Sequence, residues 1–161
     1  MKLETHGQIA HLLKALERDF YHPLGEIDFC GFVTKDLLSI DKAKSQDNKP
    51  MPKGYNWGKP EEYCWLFSSF TLPENAKGER IVLELNTGWE STVYLNGKPF
   101  GTVRGGDIRY PHHYLVDQTI VHSAKGDEQY NITLETYSGT LLPLSPSGKR
   151  ASGYVFPDVG V

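Results

Sequence analysis

The sequence predicts an all-β fold, a jelly-roll β-sandwich with one amphipathic helix at its N-terminus. Two patterns carry this prediction: about eight short strand-like runs separated by turn residues, and one stretch near the start with helical spacing. The length of 161 residues is that of a single domain. The 16 glycines and 10 prolines supply the many turns that a sandwich of short strands needs.

The charge and hydropathy of the chain argue against two classes of function. The net charge is −3 and no block of Lys and Arg occurs, so the sequence lacks the electrostatic footprint of a nucleic-acid-binding protein. No apolar stretch approaches the ~20 residues that cross a bilayer, and residues 1–6 lack the apolar core of a secretion signal. We therefore expect a cytoplasmic protein with neither a nucleic-acid nor a membrane partner.

Residues 5–20 have the spacing of an amphipathic helix. Thr5 and Gln8 fit a capping box at its start, and Pro-Leu-Gly at 23–25 ends the pattern. An isolated helix of this length is marginal in water, so we expect residues 1–25 to pack on or beside the sandwich. The apolar face of the helix consists of Ile9, Leu12, Leu13, Leu16 and Phe20.

Two strands are predicted in the first half of the sandwich. Residues 63–72 are nearly continuous apolar sequence closed by Pro73, which favours a central strand. Residues 26–33 alternate as in a half-buried strand. Residues 42–55, with two prolines and a glycine among polar residues, indicate a long surface loop between the two. The alternating side of the first strand consists of Ile27, Phe29, Gly31 and Val33.

The strongest local signal is a hairpin in the second half. Asn96-Gly97 separates two strand-like runs, 91–95 and 98–103, and favours a tight type I′ turn. Further strands are predicted at residues 81–85, 113–116 and 130–137, the last with clean period-2 alternation.

The chain divides into three parts on this basis. Residues 26–140 form the predicted β-sandwich domain after the helical residues 1–25. Gly, Pro and Ser dominate from Ser138 onward. Residues 141–161 are therefore predicted as a tail, or as the start of a linker to a missing catalytic domain, with no closing strand.

No catalytic or metal-binding cluster is predicted. Cys30 and Cys64 lie far apart without a CxxC motif and are expected as two buried thiols. His112 and His113 are neighbours, whose imidazoles would point to opposite faces of a strand.

Paired carboxylates occur twice but in an unpromising context. Glu61-Glu62 and Asp127-Glu128 both adjoin turn residues. Solvated loop carboxylates are commoner than acid/base pairs, so these side chains are expected at the surface.

Aromatic residues in loops are the best candidates for a binding site. Trp57 lies in the Gly-Tyr-Asn-Trp-Gly loop and Trp89 in the Thr-Gly-Trp-Glu turn. Flat rings at loops suit the apolar face of a sugar or a protein partner, and the alternative is that each ring covers an end of the core. The candidates for carbohydrate contact or a domain interface are Trp57, Trp89, Asn56, Glu90, Asp107 and His113.

Several motifs together resemble a known type of module. Trp57-Gly58, the run 65–73, the run 81–85 and the Val-Tyr-Leu-Asn-Gly-Lys hairpin within 88–99 resemble the galactose-binding-like jelly-roll modules of glycoside hydrolases. The leading helix, His113 and the Tyr-Asn-Ile-Thr-Leu-Glu-Thr-Tyr-Ser-Gly run narrow the likeness. With them the chain resembles the N-terminal domain of glycoside hydrolase family 38 α-mannosidases.

The resemblance implies an accessory role. In that family the β-domain precedes a catalytic domain with a zinc ion held by His and Asp ligands and an Asp nucleophile, and the enzymes hydrolyse α-mannosides with retention. Those motifs do not occur here, so the resemblance implies no catalytic residue and no cofactor in this chain, and zinc in the missing catalytic domain. The expected partners are the catalytic domain of the same parent chain, a glycan, or a second copy of this chain.

An alternative from a different class stays open. The chain could be a stand-alone carbohydrate-binding module that recognises mannose-containing glycans through the loop residues named above.

Overall fold

The computed structural model describes residues 7–9, 11, 12, 22–104 and 119–139, and the backbone of residues 156–160. These residues form two antiparallel β-sheets that face each other around one hydrophobic core. The strands are β1 (Pro23–Glu26), β2 (Cys30–Thr34), β3 (Lys49–Pro50), β4 (Tyr63–Thr71), β5 (Ile81–Asn86), β6 (Glu90–Leu95), β7 (Lys98–Arg104), β8 (Thr119–Val121), β9 (Gln129–Tyr137) and β10 (Phe156–Gly160). A short helix α1 (Ile40–Lys44) and a 3-10 turn (Glu74–Ala76) are described as well, besides the helical residues 7–9, 11 and 12.

The strand order places the long apolar strands in the middle. One sheet has four strands in the order β1-β10-β5-β8, and the other has six in the order β3-β2-β4-β9-β6-β7. The predicted central strand is confirmed, since β4 pairs with β2 on one side and β9 on the other. The all-β jelly-roll prediction is confirmed as well.

The inner face of the six-stranded sheet is a regular apolar layer. Leu66, Leu134 and Val93 lie side by side on β4, β9 and β6, and each is at most 1% exposed. Leu83 of the other sheet belongs to the same core. Truncating a buried Leu of this kind to Ala costs about 2–5 kcal/mol, so each leucine of this layer contributes substantially to the stability of the fold.

The predicted hairpin is confirmed with its turn type. Asn96 and Gly97 adopt φ values of 50° and 77° between β6 and β7. A type I′ turn requires positive φ at both central residues, which Asn and Gly tolerate best. The alternation of β9 is also confirmed, because Tyr130, Ile132 and Thr136 are buried.

The first predicted strand is two strands in two different sheets. Ile27 and Phe29 are buried as the alternation predicts, but β1 ends at Glu26 and β2 begins at Cys30. The intervening residues cross from the four-stranded to the six-stranded sheet. Buried and exposed residues therefore alternate without interruption from β1 to β2. For this reason the sequence pattern does not show at which residue the chain passes from one sheet to the other.

The predicted loop at 42–55 contains regular structure. Helix α1 begins after Ser39, whose hydroxyl accepts the amide of Lys42 at 3.5 Å. Strand β3 pairs with the start of β2, and Met51 is 1% exposed with its amide bonded to the carbonyl of Phe29. The segment reads as a loop in the sequence because both elements are too short to show a period.

Besides β3, the strands β8 and β10 were not predicted. Strand β10 lies between β1 and β5, in a segment that the sequence predicts to have no closing strand. Residues 7–9, 11 and 12 are helical, with Ile9 and Leu12 exposed, and the rest of the predicted N-terminal helix lies outside the described residues. The predicted strand at 113–116 lies outside them too, and the three-part division of the chain stays a prediction.

Candidate functional site

The two tryptophans that the sequence singles out lie together at one end of the sandwich, where β4 and β6 begin and β9 ends. Trp57 is 6% exposed within the hydrophobic core, and half-buried Trp89 packs against that core. Gly58, with φ of 99°, approaches the indole of Trp89 so closely that an added Cβ would lie 2.7 Å from Nε1. Trp57 therefore closes this end of the core.

A chain of buried hydroxyl groups fixes the turn that carries Trp89. Thr87 Oγ1 donates to the carbonyl of Trp89 at 2.9 Å. Thr87 Oγ1 lies 2.7 Å from Ser91 Oγ, which lies 2.8 Å from Thr136 Oγ1. Each hydroxyl has one proton, so Ser91 donates to Thr87 and Thr136 donates to Ser91. All three side chains are at most 2% exposed, and the chain satisfies polar groups that would otherwise be costly in the core.

The loop after Trp57 is tied to the end of β9. Ser138 Oγ donates to the carbonyl of Lys59 at 2.5 Å and accepts the amide of Glu62 at 3.0 Å. The carboxylate of Glu62 accepts the amide of Lys59 at 2.8 Å. These bonds close a small ring of contacts, so the loop that holds Trp57 is positioned by the strands beside it.

Both acidic pairs have a structural role in turns. Glu128 accepts the amide of Lys125 at 2.8 Å, as Glu62 does for Lys59. Glu61 and Asp127, the first residue of each pair, adopt positive φ values of 60° and 58°. The carboxylates of Glu62 and Glu128 thus close turns and are half-buried, whereas Glu61 and Asp127 are exposed as the sequence predicts.

The other predicted site residues are only partly brought together. Asn56 and Glu90 are exposed at the same end as Trp57 and Trp89. Asp107 and His113 lie outside the described residues. Carbohydrate or interface contact by this set stays a prediction.

The outer face of the six-stranded sheet carries a partly buried carboxylate, that of Glu135. Glu135 on β9 lies opposite Trp65 of β4 and Thr92 of β6. Burial raises the pKa of the Glu135 carboxyl above its ordinary value, and the hydrogen bond from the Tyr94 hydroxyl, 3.4 Å from Oε2, opposes this by a smaller amount. Trp65 is 1% exposed, and its Nε1 has no hydrogen-bond partner among the described residues.

A groove of about 660 Å³ opens on the same outer face at the opposite end of the sandwich. Phe67 and Thr133, paired across β4 and β9, lie in its lining. Lys44 at the end of α1 and the Asn96-Gly97 turn line it as well. None of the lining residues was predicted as a site residue. The alternation of β4 and β9 does predict that Phe67 and Thr133 lie on the outer face of the sheet.

The described part of the chain offers no ready metal site. Within it, no three His, Cys, Asp or Glu side chains come together in a way that could hold a metal ion. The helices of this part are also too short or too polar to cross a membrane.

A family model matches most of the sandwich. Residues 28–142 match the model described as "Alpha-mannosidase, jelly roll domain". The chain belongs to this family. The match agrees with the resemblance on which the sequence prediction rests, and it covers all of the residues that form β4 to β9. No curated protein matches the chain.

Solved glycosidases contain a similar fold. A β-glucuronidase from Ruminococcus gnavus has a TM-score of 0.51 at 17% identity, covering 88% of this jelly roll chain and 29% of that chain. A β-glucosidase from Kluyveromyces marxianus, solved with glucose, has a TM-score of 0.50 at 15% identity, covering 81% and 15%. At such identities the likeness concerns the fold alone. This chain spans less than a third of either enzyme.

Proposed function

We propose that this chain is the non-catalytic N-terminal accessory domain of an α-mannosidase-like glycoside hydrolase of family 38. In this role it packs against the catalytic domain of the same parent chain or against another subunit. The parent hydrolyses α-mannosidic linkages, and zinc belongs to its catalytic domain. The single observation that carries the proposal is membership of the alpha-mannosidase jelly roll domain family over residues 28–142.

The described side chains support a positioning role over a chemical one. The carboxylates of Glu62 and Glu128 accept backbone amides in turns, and the hydroxyls of Ser91 and Thr136 are hydrogen-bonded within a buried chain of hydroxyl groups. These groups build the scaffold and hold its loops. A rigid scaffold with structured loops is what an accessory domain needs to present a fixed surface to a neighbour.

The first experiment is an immunoblot of the source cells with an antibody against this domain. We expect a polypeptide several times larger than 18.1 kDa, whose remaining sequence contains the zinc ligands and the Asp nucleophile. A native product of 18.1 kDa would overturn the accessory role.

A second measurement addresses catalysis directly. The purified chain is incubated with a chromogenic α-mannoside beside a heat-denatured sample. We expect no turnover above the denatured sample. Turnover that survives repurification and treatment with a chelator would contradict the non-catalytic role.

A further inference from the structure

The groove on the outer face of the six-stranded sheet has the construction of a ligand site. Its volume of about 660 Å³ is in the range of small-ligand pockets, roughly 300–1,000 Å³. It extends from the start of β2 across β4 and β9 to the end of β6, which is three strand spacings or about 14 Å. This width admits a short oligosaccharide lying across the strands.

The floor of the groove presents an aromatic ring in a fixed orientation. Phe67 is half-buried on β4, between Cys30 of β2 and Thr133 of β9 in the same cross-strand row. Its ring lies nearly parallel to that of Trp65, with 6.3 Å between centroids and 11° between planes. An aromatic ring in a fixed orientation offers an apolar surface to the C–H face of a sugar.

Amide side chains surround this ring. Asn131 is exposed in the next cross-strand row and lies in the groove lining. Gln129 donates its Nε2 to Ser69 Oγ at 3.1 Å, which holds its amide at the groove. Planar amides combine donors and acceptors, as the hydroxyl groups of a sugar require.

One rim of the groove is rigid. Asn96 Oδ1 accepts the backbone amide of Asn131 at 2.9 Å, and the backbone amide of Asn96 donates to the carbonyl of Asn131 at 2.8 Å. The Nδ2 group of Asn96 keeps two donors for a ligand. A rim that is already ordered loses little entropy on binding.

The charge of the lining selects against a cationic ligand. Lys44 is its one cation, and the described lining contains no carboxylate. The ammonium group of Lys has three donors and can donate a hydrogen bond to a sugar hydroxyl. The remaining lining groups are neutral.

We propose that this groove is a carbohydrate-binding site for an uncharged oligosaccharide, with Phe67 as the platform and Asn131, Gln129 and Lys44 as hydrogen-bonding groups. The choice of an α-mannoside as the sugar rests on the proposed function. The groove lies at the end of the sandwich opposite Trp57 and Trp89. It is therefore a different site from the one that the sequence predicts.

The test is a chemical-shift titration of the full chain with α-mannobiose at millimolar concentrations. We expect saturable shifts at the amides of Gly97, Asn131 and their groove neighbours. Shifts confined to Asn56 and Glu90 would place the sugar at the tryptophan end and overturn the proposal. The absence of any shift would overturn it too, and would leave the accessory role untouched because that role is tested by the size of the native polypeptide.

Two variants and one matched control sharpen the titration. Asn131→Ala removes an exposed amide, and Phe67→Leu keeps an apolar side chain but removes the flat ring; each should weaken binding about five- to tenfold. Asn75→Ala removes an exposed amide outside the groove and should leave the affinity unchanged. Equal affinity in all three variants would contradict the proposal, provided that their circular dichroism matches that of the parent chain.

Salt separates an uncharged ligand from an anionic one. Binding of a neutral sugar should change less than twofold between about 50 and 500 mM salt, because screening acts only on charges. A steep fall in affinity over this range would show that Lys44 recognises an anion and would overturn the assignment to a neutral sugar.

Discussion

The two cysteine side chains have opposite environments. Cys64 is fully buried on the inner face of β4, and its Sγ lies 3.9 Å from Sδ of Met51. Burial, with a smaller contribution from the charge of Glu62, raises the pKa of the Cys64 thiol to about 12. Cys30 is exposed, so the expectation of two buried thiols is wrong for this residue. The alternation of Phe29 and Gly31 already places Cys30 on the outer face.

This difference predicts selective thiol reactivity. At about pH 8 the native protein should react quickly with one equivalent of a disulfide reagent, because only a thiolate attacks and the thiolate of Cys64 is suppressed. The second equivalent should react only after unfolding in denaturant. Cys30→Ser should abolish the fast phase and Cys64→Ser should keep it. Two fast thiols in the native protein would contradict the placement of Cys64.

Residue-level prediction is weakest where burial depends on a loop path. The sequence shows that Trp57 lies in a loop with turn residues, and this suggests an exposed ring. The structure buries the ring because Gly58 adopts a φ of 99° and brings the loop against Trp89. A backbone conformation open mainly to glycine is not visible in the pattern of apolar residues.

At the scale of elements, the pairing of β2 with β4 depends on one glycine. Gly31 is paired with Leu66, and a Cβ added to Gly31 would overlap the backbone carbonyl oxygen of Trp65. The overlap is with main chain, which cannot rotate away. Strand β2 must shift to accept any side chain at this position.

Gly31→Ala should therefore lower the free energy of unfolding by about 3 kcal/mol or more, as for an overpacked core site. Gly25→Ala is the matched control, since an added Cβ at Gly25 meets nothing within 4 Å. Its effect should stay within about 0.5 kcal/mol. Urea unfolding measures both variants. Equal midpoints for the two would show that β2 does not approach β4 as closely as described.

Elements were predictable where their own residues carry a period. The alternation of β9, the apolar run of β4 and the Asn-Gly hairpin each predict the observed element. Strands β3 and β8 have two and three residues, too few for a period, and pair only because a longer strand lies beside them. The groove was missed for a related reason. Phe67 and Asn131 are distant in sequence and become neighbours through the register of β4 and β9.

At the scale of the whole molecule, β10 connects the first strand of the sandwich with the rest of the four-stranded sheet. It pairs with β1 on one side and β5 on the other. Within the described residues, β1 has no other strand partner. Closure of the four-stranded sheet therefore depends on β10. This strand follows a stretch rich in glycine, proline and serine, and the local sequence pattern predicts the whole segment to be a tail.

Replacing residues 156–160 by a Gly-Ser sequence of equal length tests this closure. Backbone hydrogen bonds contribute about 0.5–1.5 kcal/mol each, so loss of both ladders should lower the free energy of unfolding by about 3 kcal/mol. Amides of β5 should exchange with solvent at least about tenfold faster, because that strand becomes accessible through local opening. Amides of β9 serve as the internal control, since β4 and β6 still flank them. Unchanged exchange of the β5 amides would contradict the pairing of β5 with β10. Faster exchange in both sheets would instead mean that the whole sandwich, including β10, unfolds as one cooperative unit.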